Sequence, residues 1–245
     1  VTCSPDHESN RGEGDTAYWQ KFWNQPSNVS TGCPQTDVGR TRNGVPVTDE
    51  QWNQAIEYIA DLTDLRERDT LIELCCGNAV LLGPLAKRCA RAIGVDFSMV
   101  LLKQAHEVFP NVFETLHGDV LDVELPQNCA DVVLIYFAIQ HFTQKNAVRL
   151  IQKSITLLKP GGRLLVGDVP DNSKLWQYLN KPEYRKDYIR RLLESRPMIG
   201  TWFDRDFFEA IGEYLQDVDA KILEQPEFLI NSNVRFDVLY TKHFS

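Results

Sequence analysis

The sequence predicts an α/β fold, a doubly wound and mostly parallel seven-stranded sheet with helices on both faces. Three observations carry that expectation. Between residues 70 and 168, short apolar runs alternate with amphipathic helical patterns, which is how parallel strands joined by crossover helices read. The run at 130–137, ADVVLIYF, is apolar almost throughout, as a central strand covered on both faces must be. Near the end of the chain the alternation stops. Runs at 220–230 and 234–243 are separated only by Asn231-Ser232-Asn233, which predicts a tight antiparallel hairpin closing one sheet edge.

Taken in order, residues 1–15 are polar and glycine-containing and are expected to be disordered. The aromatic, amphipathic TAYWQKFW at 16–23 predicts a short helix, and a loop rich in Pro, Gly, Asn and Thr is expected over 25–46. Thr48 with Gln51 three residues on forms a capping box. Trp52, Ala55, Ile56, Ile59 and Leu62 continue it as a helical stripe. These helices make an N-terminal lid over 16–65. Strands are then expected at 70–74, 90–96, 112–119, 130–137 and 162–168. Helices are expected through Leu85, over 98–108 and over 144–158, the last ending at Lys159-Pro160-Gly161-Gly162, a strong turn signal. A helical insertion over 171–203 and a helix over 205–214 complete a single domain covering 16–245.

Composition narrows the function classes. Of 245 residues, 43% are hydrophobic and 24% charged, with a net charge of −8. An acidic chain gains nothing from the counterion release that drives nucleic-acid binding, so no nucleic-acid partner is expected. No apolar run is long enough to span a bilayer and the N-terminus is not a signal peptide, so no membrane partner is expected. The six cysteines lack zinc-type spacing, and Cys75 and Cys76 are adjacent. A reducing, cytoplasmic setting follows, with no metal site. The chain begins at Val1 and not with a methionine, which points to a trimmed chain or an excised domain. Nothing in the sequence reads out an oligomeric state.

The most informative segment is LIELCCGNAVLLGPL, residues 71–85. A buried strand ends near an acid, Glu73. A turn of small residues (Cys75, Gly77, Ala79) follows and a helix begins. Small residues let backbone approach a ligand, and a helix start offers free N–H donors. The second strand ends at Asp96, where a carboxylate can take both hydroxyls of a ribose. This arrangement resembles the first motif of class I S-adenosylmethionine (SAM)-dependent methyltransferases, with Glu73 as the acid and Cys75, Gly77 and Ala79 at the three glycine positions. Two of the three glycines are replaced by other small residues.

Further matches follow in order: Asp96 with Phe97 in GVDFS, Asp119 with Val120 in HGDV, the fourth-strand stretch DVVLIYFAIQHF, and LLKPGGRLLVGD. The resemblance implies a Rossmann-like fold and SAM as cofactor, with S-adenosylhomocysteine as product and no metal. It places the ribose at Asp96, the adenine at Asp119 and the methionine moiety beside Tyr136. It implies methyl transfer to an oxygen or nitrogen of a small-molecule acceptor, acidic or sugar-like, by in-line displacement. Two other readings remain open: a non-catalytic SAM-binding module, and a nicotinamide-dependent oxidoreductase. The latter needs G-x-G-x-x-G, whereas the chain reads C-C-G-N-A-V from Cys75.

His141, just past the fourth strand, is the candidate catalytic base, since a free imidazole titrates near neutrality. Gln140 and Asp168 are candidates for holding the acceptor. Trp19, with Tyr18, Phe22 and Trp23, is a candidate for folding over the cofactor, and Arg40 for pairing with its carboxylate. The insertion carries seven basic against four acidic side chains, with Trp176 and Trp202 among its aromatics. It is expected to cap the site and attract an acidic acceptor.

Overall fold

The computed structural model describes residues 16–26, 31–42, 45–194 and 200–244; the stretch expected to be disordered, 1–15, lies outside them. Seven strands form one sheet: β3 (Thr70–Leu74), β4 (Arg91–Asp96), β5 (Glu114–His117), β6 (Ala130–Tyr136), β7 (Leu158–Pro170), β8 (Val218–Glu224) and β9 (Arg235–Lys242). Their order is β5-β4-β3-β6-β7-β9-β8, with β5 to β7 mutually parallel and β9 antiparallel to both its neighbours. The chain runs outward from β3 to β5 and then returns to β6 on the other side of β3. That reversal opens a crevice at the carboxyl ends of β3 and β6, where open α/β sheets bind ligands.

Helices cover both faces. α3 (Asp49–Thr63), α4 (Leu82–Ala86) and α5 (Met99–Val108) pack on one face through Ile56, Ile59, Leu85 and Leu102. On the other, α6 (Gln144–Leu157) and α9 (Arg205–Leu215) bury Leu150, Ile151, Phe208 and Ile211. α3 begins as expected: the Thr48 hydroxyl accepts from Gln51 N–H, and the Gln51 side chain accepts from Thr48 N–H at 3.2 Å. Its stripe is buried from Trp52 to Ile59, while Leu62 is half-buried.

Several boundaries differ from the expectation, each for a local reason. The loop predicted over 25–46 contains the short helix α2 (Pro34–Asp37) and the paired strands β1 (Thr41–Arg42) and β2 (Val45–Pro46). β5 is shorter than 112–119 because it is the edge strand and pairs on one side only. β7 starts at Leu158, not Gly162. The Pro-Gly-Gly turn is absorbed as a bulge, since Ala130 pairs with Leu158 and the next paired residue, Val132, meets Arg163.

The tight terminal hairpin does not form. β8 stops at Glu224, and Leu229 and Ile230, expected in strand, are instead buried within a long connection. Asn231 adopts a left-handed φ of 60° and leads into a 3-10 turn at Ser232–Val234. The antiparallel edge pair itself stands.

The insertion is helical, with α7 (Leu175–Tyr178) and α8 (Pro182–Leu193). No residue of α8 is buried. The predicted N-terminal helix is α1 (Thr16–Trp23), and it lies over the carboxyl edge of the sheet, with Ser98 Oγ donating to Trp23 O at 2.7 Å. Among the described residues no helix is long and apolar enough to cross a membrane.

Candidate cofactor and acceptor site

The turn after β3 has the conformation of a glycine-rich loop without most of the glycines. Cys75, Gly77 and Ala79 all have left-handed φ, at 62°, 56° and 59°. An L-residue there costs about 1–2 kcal/mol relative to its right-handed form, so Cys75 and Ala79 are held by their surroundings. Asp96 is one of the groups holding them. Its carboxylate accepts from Gly77 N–H at 2.8 Å and from Ser98 N–H at 2.8 Å, tying the β3 turn to the start of α5. Burial pushes its pKa up to about 6, against the opposing pull of these hydrogen bonds, so it is mostly ionised at neutral pH. Two further residues outside the turn, Phe137 and Asp168, also have left-handed φ, of 59° and 56°. Phe137 directly follows β6, and Asp168 sits at the irregularity in β7 between Val166 and Val169.

Beside the turn lies a cavity open to solvent. Of the residues singled out from the sequence, Arg40, Glu73, Cys75, Gly77, Asp96, Phe97, Tyr136 and His141 line it. Glu73 and Arg40 form its polar end. Glu73 is 2% exposed and one carboxylate oxygen, Oε2, has no hydrogen-bond partner among the described residues. Burial drives its pKa up to about 8, with Arg40 pulling the other way. Arg40 is 6% exposed; it donates to Tyr136 O at 3.4 Å and lies 3.4 Å from the Phe137 ring centroid. Its Nε and Nη1 have no partner among the described residues, and burial lowers its pKa to about 10. A buried cation and a buried carboxyl with an open oxygen are both costly to leave without partners, so these two groups mark a place for a ligand that bonds to both.

Other predicted residues sit around the cavity and not on its wall. Ala79 and Val120 are buried in the core. Asp119 accepts from the Gln20 side chain of α1 at 3.1 Å and from Leu121 N–H, so the lid touches the acid at the adenine position. Trp19 is buried, its ring centroid 4.2 Å from that of His141. Gln140 turns its amide back to donate to Phe137 O at 2.8 Å. Asp168 lines a second, smaller cavity of about 300 Å³ with Tyr136, Phe137 and Trp52. Trp176 lines neither cavity. It is about half exposed and packs edge-on against Tyr188, because α7 faces outward onto α8. Trp202 packs on Tyr178 and lies 5.8 Å from the Arg235 guanidinium.

His141 sits in surroundings that disfavour its protonated form. It lies in a 3-10 turn (Ile139–His141) against Trp19 and Trp23, and its Nδ1 is enclosed without a partner. Burial, with Arg235 and Arg40 close by, lowers its pKa to about 3. A ring so hard to protonate takes a proton poorly. Two of the insertion's basic side chains also point elsewhere: Arg190 and Arg191 pair with Asp187, and Arg190 with Glu194, on the exposed surface of α8.

Sequence reasoning missed Val38 and Leu101 as wall residues, while Trp23, of the expected lid, and Phe142, of the fourth-strand stretch, also line the cavity. It also missed Arg235, which had no local signal because it reaches the edge from the reversed strand. Among the described residues no group of three or more His, Cys, Asp or Glu could hold a metal ion.

Comparison with known proteins agrees with this architecture. Residues 71–162 match a family model described as a methyltransferase domain. An uncharacterized methyltransferase of Mycobacterium bovis is 30% identical over 121 residues, 48% of this chain and 60% of that one. The 2-phytyl-1,4-naphtoquinone methyltransferase of Thermosynechococcus vestitus is 28% identical over 52% of this chain and 57% of its own. The chain thus spans about 60% of the length of these curated relatives. Among solved structures, magnesium protoporphyrin IX methyltransferase from Synechocystis with bound SAH superposes with a TM-score of 0.63 at 15% identity. That likeness covers 93% of this chain and 99% of the other, and it concerns the fold.

Proposed function

We propose that this chain, whose residues 71–162 match a methyltransferase domain model, is an enzyme that transfers the methyl group of SAM to an oxygen or nitrogen of a small molecule. The observation that carries this reading is the placement of Glu73, Arg40 and Asp96 around one cavity at the sheet's crevice. Arg40 has free donors for the carboxylate of the methionine moiety, and Glu73 an open oxygen for its ammonium. Asp96 is ionised, buried and suited to the ribose hydroxyls. Asp119 and Phe97 border the adenine end, where Gln20 of the lid would give way or share the contact.

Bound SAM supplies an electrophilic sulfonium methyl whose transfer is intrinsically favourable. The protein's part is alignment and exclusion of water. α1 serves the second task by laying Trp19 and Trp23 over His141. The neutral His141 ring serves the first by offering a fixed hydrogen-bonding edge to the acceptor. No phosphate cradle is needed for this cofactor, and the β3 turn has only one of the glycines that a dinucleotide fingerprint requires.

Calorimetric titration of the full chain with SAM, S-adenosylhomocysteine and NADH tests the reading. SAM and S-adenosylhomocysteine are expected to bind one per chain and NADH not at all. NADH binding without SAM binding would falsify it. Binding of both adenosyl ligands with no turnover on any acceptor would favour a non-catalytic module instead.

A further inference from the structure

The second, smaller cavity at the sheet's edge holds a carboxylate that the fold leaves half used. Its walls come from Trp52 and Ala55 of α3, from Leu229 and Ile230 of the connection before β9, and from Tyr136 and Phe137. Tyr136 and Phe137 also line the cofactor cavity, so the two spaces share these walls. The α3 and connection residues lie outside the 71–162 stretch that matches the methyltransferase domain model. Specificity is commonly built in such additions to a shared fold.

Among the described residues, Asp168 is the one charged group on this second wall, and it is 1% exposed. Its backbone is engaged: the N–H donates to Asp237 Oδ1 at 2.8 Å, and the carbonyl accepts from Arg235 Nη1 at 3.1 Å. Its side-chain Oδ2 has no hydrogen-bond partner among the described residues. Arg235 Nη1 stands 3.8 Å from that oxygen, close enough to balance its charge and too far to donate. Asp237, the neighbouring buried carboxylate, lines neither cavity and has its donors in place. It accepts from Asp168 N–H, from the Gln225 amide at 2.7 Å and from the Tyr58 hydroxyl at 3.2 Å. What Asp168 lacks is therefore a hydrogen-bond donor and not a counter-charge, and a buried acceptor left without a donor is costly. Burial raises the Asp168 pKa, with Arg235 and Arg40 pulling the other way, so a donor reaching Oδ2 favours the ionised form. The space beside it is narrow, with room for one small polar group, and most of its walls are apolar or aromatic.

We propose that this second cavity is a subsite for the methyl acceptor, in which Asp168 anchors a neutral hydrogen-bond donor, a hydroxyl or N–H, carried on an apolar body. The proposal rests on the methyl-transfer reading above. Asp168 is a positioning residue: it holds one end of the acceptor while the atom to be methylated lies on the cofactor side of Tyr136 and Phe137. No bond or proton changes hands at Asp168.

The test uses the full chain saturated with S-adenosylhomocysteine, titrated with phenol, anisole, benzylamine and benzoate and read by ligand-detected NMR. Phenol is expected to bind about tenfold or more tighter than anisole, which keeps the ring and loses the donor; that is the usual worth of a hydrogen bond to a charged group. It is also expected to bind tighter than either ion. Asp168→Ala is expected to erase the preference for phenol. Val47→Trp, at a half-buried wall position, should erase it with Asp168 still in place. Both variants should keep the wild-type affinity for S-adenosylhomocysteine. Should Asp168→Ala fail to fold, the wild-type preference and its loss in Val47→Trp decide. Equal binding of phenol and anisole overturns the proposal and leaves the cavity a place for water. Persistence of the preference in either variant overturns it too. So does tighter binding of benzylamine or benzoate, which would make charge the missing partner. A wild-type chain that does not bind S-adenosylhomocysteine overturns the methyl-transfer reading, and this proposal with it.

Discussion

The carboxyl edge of the sheet holds two half-sites made in different ways. At the ends of β3 and β4 the surface is largely backbone. Three residues sit in the left-handed region, and one carboxylate, Asp96, holds two amides from neighbouring segments. All of it comes from fewer than thirty consecutive residues. At the ends of β6, β7 and β9 the surface is made of side chains from widely separated stretches: Arg40, His141, Asp168, Trp202 and Arg235. There the polar atoms are left open, on Arg40, His141, Asp168 and Arg235 alike. The first half-site has its backbone tied in place before any ligand arrives and leaves Glu73 Oε2 open. A half-site full of unsatisfied buried groups keeps its specificity in charges that only the right partner neutralises.

The comparison breaks most sharply at Asp96. Asp96→Ala removes the acceptor for two buried amides along with the ribose partner. We expect SAM affinity to fall about 100-fold or more and stability by about 2 kcal/mol or more, read by calorimetry and urea unfolding. Unchanged SAM affinity would mean that the ribose lies elsewhere.

Arg40→Met should separate the halves more subtly. SAM binding is expected to weaken about 10- to 100-fold, the worth of a charged hydrogen-bonded contact. The ligand-free protein should lose no stability, because an unpaired buried cation is gone. Loss of stability in the ligand-free form would show that Arg40 is a structural residue.

How much of this was readable beforehand follows the same division. The turn at Cys75 to Ala79 and the acids at Glu73, Asp96 and Asp119 announce themselves because a strand, a tight turn and a helix start impose fixed local spacing. The mostly parallel sheet followed from alternation. The failures are long-range. Arg235 comes beside Asp168 only through β9's reversed register with β7. Trp176 was grouped with Trp202 because both are aromatic residues of one insertion, yet neither lines a cavity: one packs on Tyr188 and the other on Tyr178. His141 was read from an unperturbed imidazole, and burial beside two guanidiniums changed its chemistry. The Asn-Ser-Asn signal was real as a left-handed turn, but it caps a 3-10 turn and not a hairpin.

The pH dependence of stability sharpens the contrast further. Glu73 is raised from 4.5 to about 8 in the folded chain. The folded state therefore holds a proton that the unfolded state has lost, and stability falls as pH rises between those values. His141 works the other way, lowered from 6.5 to about 3, and it destabilises as pH falls through that lower window. Between pH 6.5 and 8 the Glu73 effect stands alone of the two. The melting temperature of the ligand-free protein should decline there, and Glu73→Gln should flatten the decline. Saturating SAM should flatten it as well, since an ammonium beside Glu73 restores its ionised form.

The smallest effect concerns the strained turn. Ala79→Gly relieves a left-handed φ and should stabilise by up to about 1 kcal/mol, after the extra unfolded-state entropy of glycine is counted. Thermal unfolding reads this directly. A loss of stability would mean that the methyl's packing outweighs the backbone strain.

The most direct test of the central claim, that buried and unpaired Arg40 and Glu73 await the amino-acid end of SAM, is a calorimetric comparison of SAM with decarboxylated SAM. Wild type should bind SAM about 10- to 100-fold more tightly than the analogue, and Arg40→Met should bind the two alike. Equal affinities in the wild-type chain, or no binding of SAM at all, would contradict the account.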